Sequence, residues 1–192
     1  MVRRFALLVL TAYRMKKQRL FVAATLPPGL HDRLAASLPL IRTSDAKASV
    51  VTAENLHCTI RFIGDVDRSL ASDIGDLFEQ LFPGPLSLTP GAYRFLGAGT
   101  LVLETSANDA FRRYVRRLES ALINLGLEPA GRRWQPHITL ARRVRRDAID
   151  FSALPVINGE QSIQAVVLFL SEFTANGMRY TPLLTTAVPA PA

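Results

Sequence analysis

Two histidine–threonine pairs stand 80 positions apart (137 minus 57) in this 192-residue chain: His57-Cys58-Thr59-Ile60 and His137-Ile138-Thr139-Leu140. Each reads His-x-Thr-x, with apolar residues at x. Histidine is the side chain best suited to give or take a proton near neutral pH. Splitting a phosphodiester in line needs a base on the attacking oxygen and an acid on the leaving oxygen, on opposite sides of the phosphorus. Two histidines can supply both without a metal. A threonine hydroxyl can donate to a non-bridging phosphate oxygen as charge develops there.

Strands must hold these pairs. A short apolar run surrounds each, and side chains alternate across a strand, so His57 and Thr59 share one face and His137 and Thr139 share another. Cys58, Ile60, Ile138 and Leu140 then point into a core. By the same alternation Arg61 falls on the His57 face, a candidate RNA contact. Arg142 falls on the face opposite His137 and reaches a phosphate there only if the strand twists, bulges or ends. Phe62 is a candidate base platform that reads more readily as core. Trp134, in an arginine-flanked loop before the second pair, suits either base stacking or core packing.

The remaining elements alternate around these strands. Residues 19–26 read as a buried strand stopped by Pro27-Pro28, and 29–38 as a helix, with 42–48 as a loop. A short strand over 49–52 precedes a strand over 57–63. Helices are expected over 69–82 and from Asn108 or Asp109 to about Leu125, the latter closed by Gly126. Strands follow the first of these near 86–96 and 100–105, and the second at 137–144. A last pair, 163–173 and 178–187, turns at Ala175-Asn176-Gly177. Strand–helix–motif strand thus occurs twice. Short turns between neighbouring strands imply antiparallel pairing and an α+β class rather than a doubly wound sheet.

Composition bounds the partners. Hydrophobic residues make up 48% and charged residues 20%, an ordinary globular balance, while the net charge is +7. The excess is local: residues 1–19 carry six cations and no acid, and Arg112, Arg113, Arg116, Arg117, Arg132, Arg133, Arg142, Arg143, Arg145 and Arg146 bracket His137. Such a cluster either solvates a surface or attracts a polyanion, and its position beside His137 favours nucleic acid or a nucleotide. The single cysteine, Cys58, excludes an internal disulfide and a Cys-rich zinc site, and makes a reducing cytoplasm the default compartment. No acid or thiol sits at metal-ligand spacing beside either histidine, so neither metal nor cofactor is expected.

The residues resemble the two-histidine phosphoesterase superfamily, and within it the RNA 2′,3′-cyclic phosphodiesterase group, also called LigT or 2′-5′ RNA ligase. Arg19-Leu20-Phe21-Val22-Ala23 is similar to that family's opening strand. Residues 54–64 (ENLHCTIRFIG) and 135–142 (QPHITLAR) are similar to its two motifs with their flanks. Ser171-Glu172 and Arg179-Tyr180-Thr181-Pro182-Leu183 resemble its closing hairpin. The resemblance covers about residues 19–187.

It implies a bilobal α+β fold, with two pseudo-symmetric lobes of antiparallel sheet flanking a central active-site groove and helices outside. It implies hydrolysis of RNA 2′,3′-cyclic phosphate ends to 2′-phosphates, with RNA ends (tRNA fragments among them) or small cyclic nucleotides as partners. Matched by position, His57 would be the proton donor and His137 the proton acceptor, while Thr59, Thr139 and Arg142 would hold the phosphate. Alternatives are a related phosphodiesterase or ligase acting on another cyclic nucleotide or a 2′-5′ linkage, and a non-catalytic RNA-binding module. The expected enzyme is cytoplasmic and monomeric, with no membrane partner. Its catalytic domain spans 15–187 and is followed by a flexible tail at 188–192. Residues 1–14 have no counterpart in the family pattern and are read as an extension, untranslated if synthesis starts at Met15, or disordered.

Overall fold

A computed structural model describes residues 17–175 and 177–190. The readings of residues 1–14 and of Asn176 in the last turn lie outside these. Among the described residues, nine strands and three α-helices follow one another in the order β1 (Gln18–Thr25), α1 (Pro28–Ser44), β2 (Ser49–Val50), β3 (His57–Val66), α2 (Arg68–Gln80), β4 (Ser87–Leu96), β5 (Thr100–Ala107), α3 (Asp109–Asn124), β6 (His137–Arg142), β7 (Gln161–Ser162), β8 (Ala165–Thr174) and β9 (Gly177–Ala187). This is the expected succession with one short strand, β7, added.

Helices α2 and α3 begin where their sequences provide caps. The Asp67 carboxylate accepts from Leu70 N, and the Asn108 side chain accepts from Phe111 N at 2.8 Å. Each satisfies a backbone donor that has no partner within the helix, a contribution of about 1 kcal/mol. Helix α1 runs further than the expected 38, straight through Pro39 to Ser44. Proline removes one helical hydrogen bond. Burial of Leu38 and Ile41 on either side holds the helix, and Thr43 and Ser44 donate their hydroxyls back to the carbonyls of Pro39 and Leu40.

All described strand pairings are antiparallel, in the order β7-β4-β5-β6-β3-β1-β8-β9, with β2 added on β6. The order is symmetric about its middle. The two motif strands, β3 and β6, meet at the centre through the single register pair Cys58↔Ile138. Three strands continue outward on each side. One face of each half is apolar and packs under the helices: Val22, Ala24, Cys58, Ile60, Leu101, Leu103, Ile138 and Leu140 join Leu34, Ile74, Phe111 and Leu118 in one core. The architecture is α+β, two pseudo-symmetric halves of a curled antiparallel sheet with helices outside. The opposite, uncovered face carries the motif side chains.

Candidate active site

The placement of the site rests on two β-bulges at equivalent positions. In β3, Ala23 pairs with Thr59 but Val22 pairs with Arg61, so Ile60 is an extra residue. In β6, Val102 pairs with Thr139 but Leu101 pairs with Ala141, so Leu140 is extra. Both lie three residues past the motif histidine. A bulge reverses the alternation beyond it. Thr59 and His57 therefore share a face with Phe62, not with Arg61. Likewise Thr139 and His137 share a face with Arg142.

This corrects two expectations drawn from simple alternation. Arg61 lies with the helices: Nε pairs with Glu119 Oε2 of α3 at 2.6 Å, and the guanidinium also donates to the carbonyls of Phe62 and Glu128. It is a strut between sheet and helix, turned away from the groove. Phe62, read as core, is 48% exposed and stacks on Phe21 at 5.5 Å. Arg142 reaches the His137 face through the bulge. It is exposed, with no hydrogen bond or ion pair among the described residues, and its charge is felt at His57.

The two histidines are held alike. His57 Nδ1 lies 2.8 Å from the carbonyl of Asn55, and His137 Nδ1 lies 2.8 Å from the carbonyl of Gln135, two residues before it in each case. A carbonyl only accepts, so each Nδ1 carries a hydrogen and each Nε2 is left to do chemistry. At His57, Nε2 is 3.0 Å from Thr59 Oγ1, and the neutral imidazole accepts a hydrogen bond from that hydroxyl.

Their surroundings differ. His57 is walled by aromatic rings, Phe21 at 5.2 Å, Tyr180 at 5.4 Å and Phe169 at 6.4 Å. Burial pushes its pKa down to about 4, and the charges of Arg142 and His137 push the same way, against the Asn55 hydrogen bond. His57 is thus neutral at rest. His137 faces polar neighbours, among them Glu104, its register partner, which pairs with Arg94 at 2.6 Å.

Other residues brace the site without a signal in the motif. Trp134 donates from Nε1 to the Thr59 carbonyl at 2.9 Å and packs on Phe111 at 5.0 Å, tying the loop before β6 to β3; its ring is half-buried. Buried Asp45 accepts from Arg145 N at 2.9 Å and fixes the turn after Arg142; that bond is the main cause holding its carboxyl below the usual range. Gly99 admits the same turn. A Cβ there would meet the Val144 carbonyl at 2.6 Å, and its φ is +113°. Pairing Asp45 or Gly99 with residue 144 or 145 requires the tertiary fold. Among the described residues no group of three or more His, Cys, Asp and Glu converges as metal ligands would.

No protein-family model matches the chain. Several characterised proteins do. An RNA 2′,3′-cyclic phosphodiesterase of Methanothermobacter thermautotrophicus is 27% identical over 181 residues, covering 87% of this chain and 97% of that protein. One of Escherichia coli is 26% identical over 170 residues, covering 86% and 94%. The crystal structure of E. coli LigT complexed with 3′-AMP superposes with a TM-score of 0.77 at 25% identity, covering 90% of this chain and 98% of LigT. Along almost its whole length the chain is similar in sequence and in fold to these LigT-type phosphoesterases. The match spans both halves of the sheet. A Thermus thermophilus protein, at 22% identity and a TM-score of 0.72, shares the fold.

Proposed function

We propose that this chain hydrolyses RNA 2′,3′-cyclic phosphate ends to 2′-phosphates, in the cytoplasm and without a metal, with His57 and His137 as acid and base. The observation that carries this reading is that His57, Thr59, His137 and Thr139 share one face of one sheet, where the bulge at Leu140 adds Arg142. In the reaction one imidazole takes a proton from water as its oxygen attacks phosphorus. The P–O3′ bond breaks, and the other imidazole protonates O3′. The two threonine hydroxyls and the Arg142 guanidinium hold the non-bridging oxygens, whose charge grows in the transition state. The relatives' names and the 3′-AMP bound to E. coli LigT support a nucleotide in this groove.

The family resemblance makes His57 the donor. In the free protein it is neutral and already accepts from Thr59. A bound phosphodiester anion favours the imidazolium by its charge. Once His57 is protonated, Nε2 no longer accepts, and the Thr59 hydroxyl turns to the phosphate. Substrate binding thereby charges the acid and frees the phosphate ligand in one step.

The resting neutrality of His57 also favours a second reading, in which His57 is the base and His137 the acid. A substrate with sulfur in place of the 3′ bridging oxygen separates the two, because a thiolate leaves without a proton. Such a substrate restores turnover to whichever histidine variant lacks the acid. The primary test incubates the protein with an RNA ending in a 2′,3′-cyclic phosphate, with and without EDTA, and maps the product. A 2′-phosphate formed equally in both supports the proposal; a 3′-phosphate, EDTA inhibition, or no turnover overturns it.

A further inference from the structure

The outer surface of α3 carries a concentration of charge that the groove does not use. Arg113, Arg116 and Arg117 are exposed and line a depression of about 450 Å³ with Ser120 and Asn124, floored by Leu81 and Ala121. Neither Arg113 nor Arg116 has a hydrogen bond or an acidic partner among the described residues, and Arg117 only touches the Phe82 carbonyl at 3.5 Å. The one acid in the middle of the helix, Glu119, is occupied by Arg61 and by Ala130 N at 2.6 Å.

That last contact matters for direction. It lays the loop after α3 back along the helix flank. The loop is held at one end by Glu119 and at the other by Trp134 on Phe111, and it runs directly into His137. Its exposed Arg132 and Arg133 therefore lie in the segment that leads from α3 to His137.

The geometry points to a second binding site: a basic track from the outer face of α3 over Arg132 and Arg133 to His137, which holds the phosphates of single-stranded RNA leading to the reacting end. Unpaired guanidinium forks bind phosphate oxygens bidentately without regard to sequence. The spacing of three and four residues places the α3 forks as neighbours on one helix face. The apolar floor of the depression offers a surface for one splayed base. This rests on the reading of the groove as an RNA-end phosphodiesterase, and it adds a preference that the groove alone lacks: oligonucleotides over mononucleotides.

The test compares the full chain with an Arg113→Ala/Arg116→Ala/Arg133→Ala variant. Fluorescence anisotropy measures binding of a short labelled RNA bearing a 2′-phosphate end, over a range of salt. Turnover of a 2′,3′-cyclic mononucleotide is followed in parallel. The expected result is at least about a tenfold weaker RNA affinity and a shallower salt slope, by roughly 0.7 per lost phosphate contact. Mononucleotide kinetics should be unchanged, and the triple lysine variant should recover most of the slope. Unaltered affinity and slope overturn the track, as does an equal loss on the mononucleotide. If the wild-type protein turns over no cyclic phosphate, the groove reading falls, while the binding measurement still decides the track.

Discussion

The two halves of the groove share a scaffold and differ in what they present. Five residues past each histidine, beyond matching bulges, the first half shows Phe62 and the second Arg142. Phe62 stacks on Phe21, which in turn meets Phe169 and Tyr180; the second half carries Arg142 and, beside His137, the Arg94–Glu104 pair. One backbone design has been filled once with rings and once with charge. A nucleotide has the same polarity, a flat apolar base and an anionic phosphate. On the proposed function, the asymmetry gives the groove a direction that the symmetric histidines lack: base toward the β1–β8–β9 wall, phosphate toward β6.

The largest test of this comparison removes what the halves share. His57→Ala and His137→Ala should each lower kcat by about 10²–10⁴-fold, the usual range for one acid–base group. The double variant should fall far short of the product, because the two act on one transition state. Steady-state turnover of a cyclic-phosphate RNA measures this; an effect confined to one histidine would break the equivalence of the halves.

Replacing what differs should separate them. Arg142→Ala loses charge-assisted bonds worth about 1.5–3 kcal/mol, so kcat/KM should drop roughly 10–100-fold. Phe62→Ala loses stacking on an exposed ring, about 1 kcal/mol, and should raise KM about fivefold with kcat little changed. If instead Phe62→Ala lowers kcat and Arg142→Ala spares it, the proposed direction is reversed.

Much of this was readable before the fold was known. The histidines, the threonines, the antiparallel α+β class and nearly every element lie in local pattern and residue type. What was not readable has one cause repeated. A bulge arises from how two strands pair, and neither Ile60 nor Leu140 differs in type from an ordinary strand residue. Alternation carried across them assigned Arg61 and Arg142 to opposite faces from those observed. The Arg61–Glu119 pair and the Asp45 and Gly99 contacts likewise join residues far apart in sequence.

The dry wall of the first half should also appear in stability. The folded pKa of His57, about 4, lies below its ordinary value of 6.5. Between these pH values the unfolded chain binds the extra proton, so stability is complete above pH 6.5 and declines as pH falls toward 4. The decline should be on the order of 1–3 kcal/mol. Urea unfolding at several pH values should show this slope in the wild type and in His137→Gln, and lose it in His57→Gln. A slope retained in His57→Gln assigns it elsewhere.

The smallest effect lies at the seam where the halves meet. Cys58 faces Ile138 in the only register pair between β3 and β6, fully buried, its thiol pushed up to about 12 by burial. A thiol so protonated and enclosed is no nucleophile. Cys58→Ala removes one buried atom and should cost about 1 kcal/mol with kcat unchanged. Cys58→Ile would make the seam symmetric in sequence, but the space across from Ile138 is filled, and overpacking there should cost about 1–3 kcal/mol. Thermal unfolding of the pair distinguishes the outcomes. If the isoleucine variant is the more stable, the seam has room to be symmetric, and the difference between the halves lies wholly on the groove face.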